Sequence, residues 1–166
     1  VTKLLLTQSV AEFNTRIDVS VMNHHGGLRA PINKGPITLG EVFAVMPFEN
    51  EMRLLEISGG QLKEVIEYIG KAERSMIWPV SFQVSESEIK NIRVDGKAIQ
   101  PEKIYVLAIS DYLANGGGGF KMLPSLKSIA IKPVKVRDMI VNDIRQQTAN
   151  GDSIRVSVAN FVTSDR

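Results

Sequence analysis

The sequence predicts an α+β fold, a single domain over residues 1–166 in which helices pack on a mixed β-sheet. Apolar residues recur at helical spacing in residues 62–69 and again in 136–144, which indicates two amphipathic helices. Residues 104–109 are an unbroken apolar run, long enough for one strand that is buried on both faces. Asp95-Gly96 separates two strand-like runs and is typical of a tight hairpin turn, so the sheet cannot be purely parallel.

The composition excludes several classes of protein. With 43% hydrophobic and 23% charged residues, the chain is neither disordered nor a coiled coil. A net charge of +2 without a stripe of Lys and Arg predicts no nucleic-acid partner. The lack of cysteine excludes a disulfide scaffold, a Cys-ligated zinc and a thiol nucleophile. No run reaches the ~20 apolar residues of a membrane span.

The first half of the chain contains four predicted elements. A helix near residues 3–16 is indicated by Leu6, Val10 and Phe13, and residues 18–22 alternate as a strand does. Thr38 is a suitable N-cap for a helix through about residue 45, and residues 52–57 form a strand. The opening residues contain neither a signal peptide nor a complete element, so we expect a trimmed chain with residues 1–17 atypical or truncated.

The second half alternates helices and strands. Ser58 and Gln61 fit a capping box that begins a helix, and Gly70 is expected to close it as the C′ residue. Strands are predicted at 80–84, 89–94, 104–109, 126–131 and 154–158, and the second amphipathic helix ends near Gly151.

Four consecutive glycines follow the buried strand, at Gly116, Gly117, Gly118 and residue 119. Such a run lets the backbone adopt positive φ and lets a ligand approach the main chain closely. Tyr112 and Phe120 flank it and offer two ring faces. We therefore predict a pocket lined by aromatic rings and bare backbone; the alternative is a strained turn and nothing more. Because no Lys-Ser/Thr follows, the run is not a P-loop.

No catalytic or metal-ligating residue is predicted in this chain. His24 and His25 are its only histidines, and adjacent side chains at the end of a strand diverge, which disfavours a shared metal ion. Asp111 has no carboxylate partner that the sequence ties to it, so acid–base chemistry is not expected there.

Three segments together resemble the C-terminal domain of the 5′-nucleotidase family, whose relatives include UDP-sugar hydrolases and 2′,3′-cyclic phosphodiesterases. They are Gly26-Gly27-Leu28-Arg29; residues 35–50, which begin Gly-Pro-Ile-Thr and end Pro-Phe-Glu-Asn; and residues 111–120, Asp-Tyr-Leu-Ala-Asn-Gly-Gly-Gly-Gly-Phe. Their order and spacing agree with the family pattern, and the similarity runs from about Asp18 through nearly all the rest of the chain.

The resemblance implies a substrate-binding role. In that family an N-terminal metallophosphoesterase domain carries two metal ions, and the C-terminal domain supplies the nucleotide pocket. Phe48 and Tyr112 would sandwich the base, and Arg29 would face the phosphate or ribose. The remaining substrate-binding positions would be His24, Asn50, Asn115, Gly116, Gly117 and Gly118.

The resemblance also implies partners and a location. We expect a nucleoside or nucleotide ligand and a metallophosphoesterase domain, fused or on a separate chain, that holds the divalent metal pair. No cofactor is expected in this chain, and the location would be the bacterial periplasm or cell surface.

Two positions depart from the family pattern. Gly118 stands where the family usually has an Asp that holds ribose hydroxyls, and His24 stands where it has an Asn. A non-catalytic interaction module that has lost nucleotide recognition is therefore the alternative. A self-sufficient hydrolase is the third hypothesis, which lacks a catalytic constellation.

Overall fold

A computed structural model describes residues 1–23, 27–72, 75–85, 88–154 and 162–164. These residues form five α-helices: α1 (Thr2–Phe13), α2 (Leu39–Val45), α3 (Gly59–Ala72), α4 (Asp111–Ala114) and α5 (Val136–Ala149). They also form nine strands: β1 (Val19–Asn23), β2 (Glu51–Ser58), β3 (Ser75–Trp78), β4 (Val80–Ser85), β5 (Glu88–Val94), β6 (Lys97–Ala98), β7 (Ile104–Ser110), β8 (Lys127–Lys135) and β9 (Val162–Ser164).

The strands form two sheets. The larger has the order β3-β1-β7-β2-β8, with β1 parallel to β7 and the other neighbours antiparallel. The smaller has the order β6-β5-β4-β9, with β9 parallel to β4. The α+β fold with a mixed sheet is confirmed. The division into two sheets was not predicted.

The larger sheet is covered on both faces. On one face, α3 and the smaller sheet bury a cluster that includes Leu62, Ile66 and Leu107. On the other face, α1, α2 and α5 bury a cluster that includes Leu54 and Met139. Strand β7 lies at the centre and is largely buried, as predicted, but its first residue, Ile104, is 56% exposed.

Both predicted helix caps are present. The side chain of Thr38 accepts a hydrogen bond from the Glu41 amide at 3.2 Å, and the Glu41 carboxylate accepts one from the Thr38 amide at 2.8 Å. Gln61 and Ser58 make the same reciprocal pair at the start of α3, at 3.2 and 3.1 Å. These boxes satisfy amides that a helix start leaves without partners.

The structure differs from the prediction at one helix end and in the burial of two elements. The prediction that Gly70 closes α3 was wrong, since the helix continues to Ala72; a Cβ at Gly70 would lie 2.6 Å from the end of the Ile89 side chain, so this glycine packs closely against β5. The helix predicted near residues 3–16 is present as α1, but its buried residues are Leu5, Gln8 and Ser9, while Val10 is 39% exposed. The strand predicted at residues 18–22 is present as β1, but its burial does not alternate, because both faces of its sheet are covered and all five residues are buried.

The remaining strand predictions have mixed outcomes. The Asp95-Gly96 turn is confirmed, with φ of 49° and 73°. Strand β3 was missed, since its four residues are too few to show a pattern. Of the strand predicted at 154–158, only Ile154 is among the described residues, and it is not in a strand.

Candidate ligand-binding site

The sheet topology brings the three motif segments to one edge. Strands β1 and β7 are parallel, with Val21 opposite Ile109, so the chain leaves both at the same edge. Strand β2 is antiparallel to β7, with Met52 opposite Ser110, so the chain enters β2 at that edge as well. The segments that contain Arg29, Phe48 and Tyr112 therefore meet there.

The side chain of Asp111 joins two of these segments. Its Oδ1 accepts hydrogen bonds from the amides of Tyr112 at 2.7 Å and of Glu51 at 3.2 Å. Ser110 caps α4 by accepting from the Leu113 amide at 3.3 Å. These contacts fix the start of the glycine loop, residues 111–120, against the start of β2.

The four glycines are required by the shape of the glycine loop. Gly116, Gly118 and Gly119 have φ of 90°, 63° and 88°, which side chains disfavour. A Cβ at Gly117 would lie 2.5 Å from the Tyr112 carbonyl oxygen and 2.6 Å from its ring. The Tyr112 ring, 48% exposed, thus lies directly against the glycines, and its hydroxyl accepts from the Gly118 amide at 3.1 Å.

A second tyrosine, Tyr68 of α3, holds the glycine loop from the other side. Its hydroxyl donates to the Gly118 carbonyl at 2.7 Å, and its ring makes an edge contact with Phe120 at 4.9 Å between centroids. Both polar backbone groups of Gly118 are therefore bonded to tyrosine hydroxyls. Phe120 is 1% exposed, so the prediction that it offers a ring face beside the glycines was wrong.

The Phe48 segment, residues 47–50, forms the other side of the site. Phe48 is partly buried, and the Arg29 guanidinium lies 5.2 Å from its ring centroid, within the range of a cation–π contact. The Arg29 amide donates to the Val45 carbonyl, and the Val136 amide donates to the Asn50 carbonyl, each at 2.9 Å. The first bond ties Arg29 to α2, and the second ties the Phe48 segment to α5.

Charged contacts also hold the Phe48 segment. The Glu49 carboxylate pairs with Lys135 and Arg137. Hydrogen bonds from these two side chains, with the larger effect from Lys135, hold the pKa of Glu49 below its usual value. Arg137 is only 6% exposed, and its guanidinium lies 3.9 Å from the Phe43 ring centroid. Sequence reasoning missed Arg137 and Lys135, because contacts across 86 to 88 residues leave no local signal.

Asn115 lies on a different face of the glycine loop. It is exposed and lines a cavity of about 230 Å³ together with Arg53, Ser128 and Ile131. Arg53 was also missed, although an arginine next to Met52 and Leu54 in a predicted strand was a usable signal. The structure therefore brings Arg29 and Phe48 into contact and packs Tyr112 on the glycines, while Asn115 is directed to a separate cavity.

His24 lies outside the described residues, and the segment next to it is tightly packed. A Cβ at Gly27 would lie 2.2 Å from the carbonyl oxygen of Asn23, so that turn requires glycine. Within the described part of the chain, no group of three or more His, Asp or Glu side chains is arranged to hold a metal ion. No helix among those residues is long and apolar enough to cross a membrane.

Comparison with known proteins identifies the family. The sequence model of the family described as 5′-nucleotidase, C-terminal domain, matches residues 3–125. Protein UshA of Salmonella pullorum is 31% identical over 126 residues, which cover 71% of this chain and 22% of that protein. Endonuclease YhcR of Bacillus subtilis is 30% identical over 113 residues, covering 62% of this chain and 9% of that protein.

Solved structures show the same fold. A 5′-nucleotidase precursor from Thermus thermophilus superposes with a TM-score of 0.82 at 18% identity and covers 97% of this chain. The NAD nucleotidase of Haemophilus influenzae has a TM-score of 0.74 at 16% identity and covers 98%. The chain spans about a third of these two structures, 34% and 33% of their lengths.

Proposed function

Since the chain belongs to the family of 5′-nucleotidase C-terminal domains, we propose that it binds a nucleotide and positions it for hydrolysis by a metallophosphoesterase domain outside this chain. The observation that carries this proposal is the meeting of Arg29, Phe48 and Tyr112 at one edge of the larger sheet. That edge presents an exposed ring, a partly buried ring and a guanidinium.

These groups have the chemistry for a nucleotide. Stacking on an aromatic ring contributes about 1–3 kcal/mol per base and tolerates any base, because every base has a π-face. A guanidinium makes forked, charge-assisted hydrogen bonds with a phosphate that an ammonium does not reproduce. Arg29 now lies over the Phe48 ring, so we expect it to leave that ring when a base stacks there and to turn toward the phosphate.

Hydrolysis is assigned to the partner domain. A pair of divalent metal ions there would activate water and polarise the phosphate ester. This chain would contribute by holding the nucleotide in a fixed orientation over the metals. By analogy with the family, we place the assembled enzyme in the periplasm or at the cell surface.

Calorimetric titration of the chain with adenosine, uridine and their monophosphates tests the proposal. We expect saturable binding that Tyr112→Ala and Phe48→Ala each weaken about tenfold, as the loss of one stacking contact predicts. Phe13→Ala is the matched control, since its partly buried ring also has a cation over it, Lys132 at 5.5 Å. The nucleoside ranking would give the substrate class.

One observation favours the alternative, a non-catalytic interaction module. Both polar backbone groups of Gly118 are bonded to tyrosine hydroxyls, so the glycine loop does not offer them to a ligand in this conformation. If the titration shows no binding even with a metallophosphoesterase domain present, and Tyr112→Ala changes no ligand interaction, the nucleotide proposal is overturned and the module is favoured.

A further inference from the structure

A second cavity lies at the opposite end of the larger sheet, and we propose that it binds a small anion that carries a planar ring. Its volume is about 360 Å³, against about 230 Å³ for the cavity beside Asn115. Ligand sites range over about 300–1,000 Å³. It shares no lining residue with the candidate nucleotide site, so the inference stands independently of the proposed function.

The position of this cavity separates it from the glycine loop. It lies where β1 and β7 begin and is lined by parts of α1, residues 16–18, the junction of β3 with β4, and residues 94–105. Tyr105, in its wall, and Ser110, the last residue of β7 before the glycine loop, are five residues apart, about 17 Å at the rise of an extended strand. One small ligand cannot contact both sites.

The floor of the cavity is apolar and one wall is aromatic. Ile17, Val94 and Tyr105 are 7%, 6% and 2% exposed and line its base. Trp78, at the end of β3, lines it as well and is only partly buried. An indole beside apolar side chains is a surface on which a planar ring can stack.

The rim carries a positive charge that its own carboxylates do not balance. Arg16 pairs with Asp18, whose second carboxylate oxygen accepts from the Val106 amide at 3.0 Å. Neither Lys97 nor Lys103 forms an ion pair with a carboxylate among the described residues. With Arg16 and Asp18 paired, the cavity lining retains two ammonium groups and one further carboxylate, that of Asp95. An anionic ligand would balance the excess positive charge.

The cavity walls are fixed by backbone hydrogen bonds. The Asp95 amide donates to the Pro79 carbonyl at 2.8 Å, which holds the β5–β6 hairpin against the β3–β4 junction. The Gln100 amide donates to the Tyr105 hydroxyl at 3.1 Å, and the Lys103 amide donates to the Gln100 carbonyl at the same distance. A preformed cavity lowers the entropy cost of binding.

The fluorescence of Trp78 gives a direct test, because this is the only tryptophan in the chain. The chain is titrated with phenyl phosphate, benzoate, benzyl alcohol and inorganic phosphate. We expect a saturable change with one of the two ring anions, at a Kd of about 1 mM or below. Benzyl alcohol lacks the charge and inorganic phosphate lacks the ring, so both should bind at least about tenfold more weakly. The comparison of phenyl phosphate with benzoate separates a phosphate from a carboxylate preference.

Two double variants test the charged rim. Lys97→Gln with Lys103→Gln should weaken binding of the preferred anion about fivefold or more, since both ammonium contacts are lost. Lys63→Gln with Lys71→Gln is the control, because it removes the same charge from exposed positions on α3. Tyr112→Ala, at the other site, should leave the Trp78 signal unchanged.

Amide chemical shifts provide a second measurement that does not depend on the indole. Binding should shift the amides of Lys97, Gln100 and Lys103. Absence of saturation in both measurements up to about 20 mM ligand, an affinity too weak for a specific site, would overturn the proposal. Equal weakening by the two double variants would overturn it too, since it would show a general charge effect.

Discussion

The glycine loop and the Phe48 segment lie at the same edge of the sheet, but different interactions hold them. The glycine loop is fixed by hydrogen bonds of its backbone. The Tyr68 hydroxyl donates to the Gly118 carbonyl, the Gly118 amide donates to the Tyr112 hydroxyl, and the Tyr112 amide donates to the Asp111 carboxylate. The Phe48 segment has a backbone hydrogen bond too, from Val136 to Asn50, but it also carries charged contacts, the pairing of Glu49 with Lys135 and Arg137. The two sides of one site should therefore respond differently to substitution, pH and salt.

The difference follows from the residues that each side contains. Glycines let the backbone approach two aromatic rings closely, so short neutral contacts can form and the shape is set by packing. The Phe48 segment connects α2 to β2 and touches α5, where the buried Arg137 needs a carboxylate partner. Glu49 supplies it from the position between the two predicted ligand residues, Phe48 and Asn50.

We expect the largest loss of folding stability from Gly117→Ala in the glycine loop. The new Cβ would lie 2.5 Å from the Tyr112 carbonyl oxygen, so the backbone must move, at a cost of about 1–3 kcal/mol. Gly40→Ala in α2 is the control, because its Cβ would meet no atom closer than 3.9 Å and alanine favours a helix. Urea unfolding measures both, and equal stabilities would contradict packing as the determinant of the loop.

Glu49→Gln should have the next largest effect, on the charged side. It leaves the buried Arg137 guanidinium without a carboxylate, so we expect a lower urea midpoint and weaker nucleotide binding through a displaced Phe48. Glu88→Gln is the control, since it breaks an exposed ion pair with Lys90. A similar small loss of stability in both variants would show that the Glu49 cluster does not hold the segment.

Acid should weaken the charged side selectively. The pKa of Glu49 is lowered in the folded state, mainly by Lys135, so its stabilising effect is complete above the unfolded pKa of about 4.3. That effect is lost as the pH falls through the lower folded pKa. The stability difference between the unmodified chain and Glu49→Gln should therefore shrink as the pH falls below about 4.3. A difference that stays constant over this range would contradict the ion pair.

The smallest effect is expected from Tyr68→Phe. It removes one hydroxyl donor, 2.7 Å from the Gly118 carbonyl, and should cost about 1 kcal/mol. Because no charge is involved, the loss should be the same at low and high salt and across the pH range in which Glu49 titrates. Urea unfolding under each condition measures it; a loss that varies with salt would remove the contrast between the two sides.

The sequence predicted the fold better than the fine structure of the site. The N-cap at Thr38, the capping box at Ser58 and the turn at Asp95-Gly96 are local patterns, and all three are confirmed. The prediction that Gly70 ends α3 was wrong for a non-local reason, since the Ile89 side chain of β5 packs against this glycine within the helix. The missed β3 depends on pairing with β1 and has no pattern of its own.

The motifs predicted which segments form the candidate site but not what holds them. The placement of Arg29, Phe48 and Tyr112 at one edge follows from strand order, which the motifs alone do not give. Tyr68, Lys135 and Arg137 were missed because each acts across 50 or more residues of sequence. Only the three-dimensional structure shows that the amide and the carbonyl of Gly118 are already bonded to tyrosine hydroxyls.

We infer that one nucleotide contacts both sides of this site, and amide chemical-shift mapping with adenosine monophosphate can detect both contacts. We predict shifts on both sides at once, at Arg29 and Phe48 and at Tyr112, Gly116 and Gly117, with one common dissociation constant. Shifts confined to one side, or centred on Trp78 and Lys103 at the other end of the sheet, would show that one nucleotide does not contact both sides.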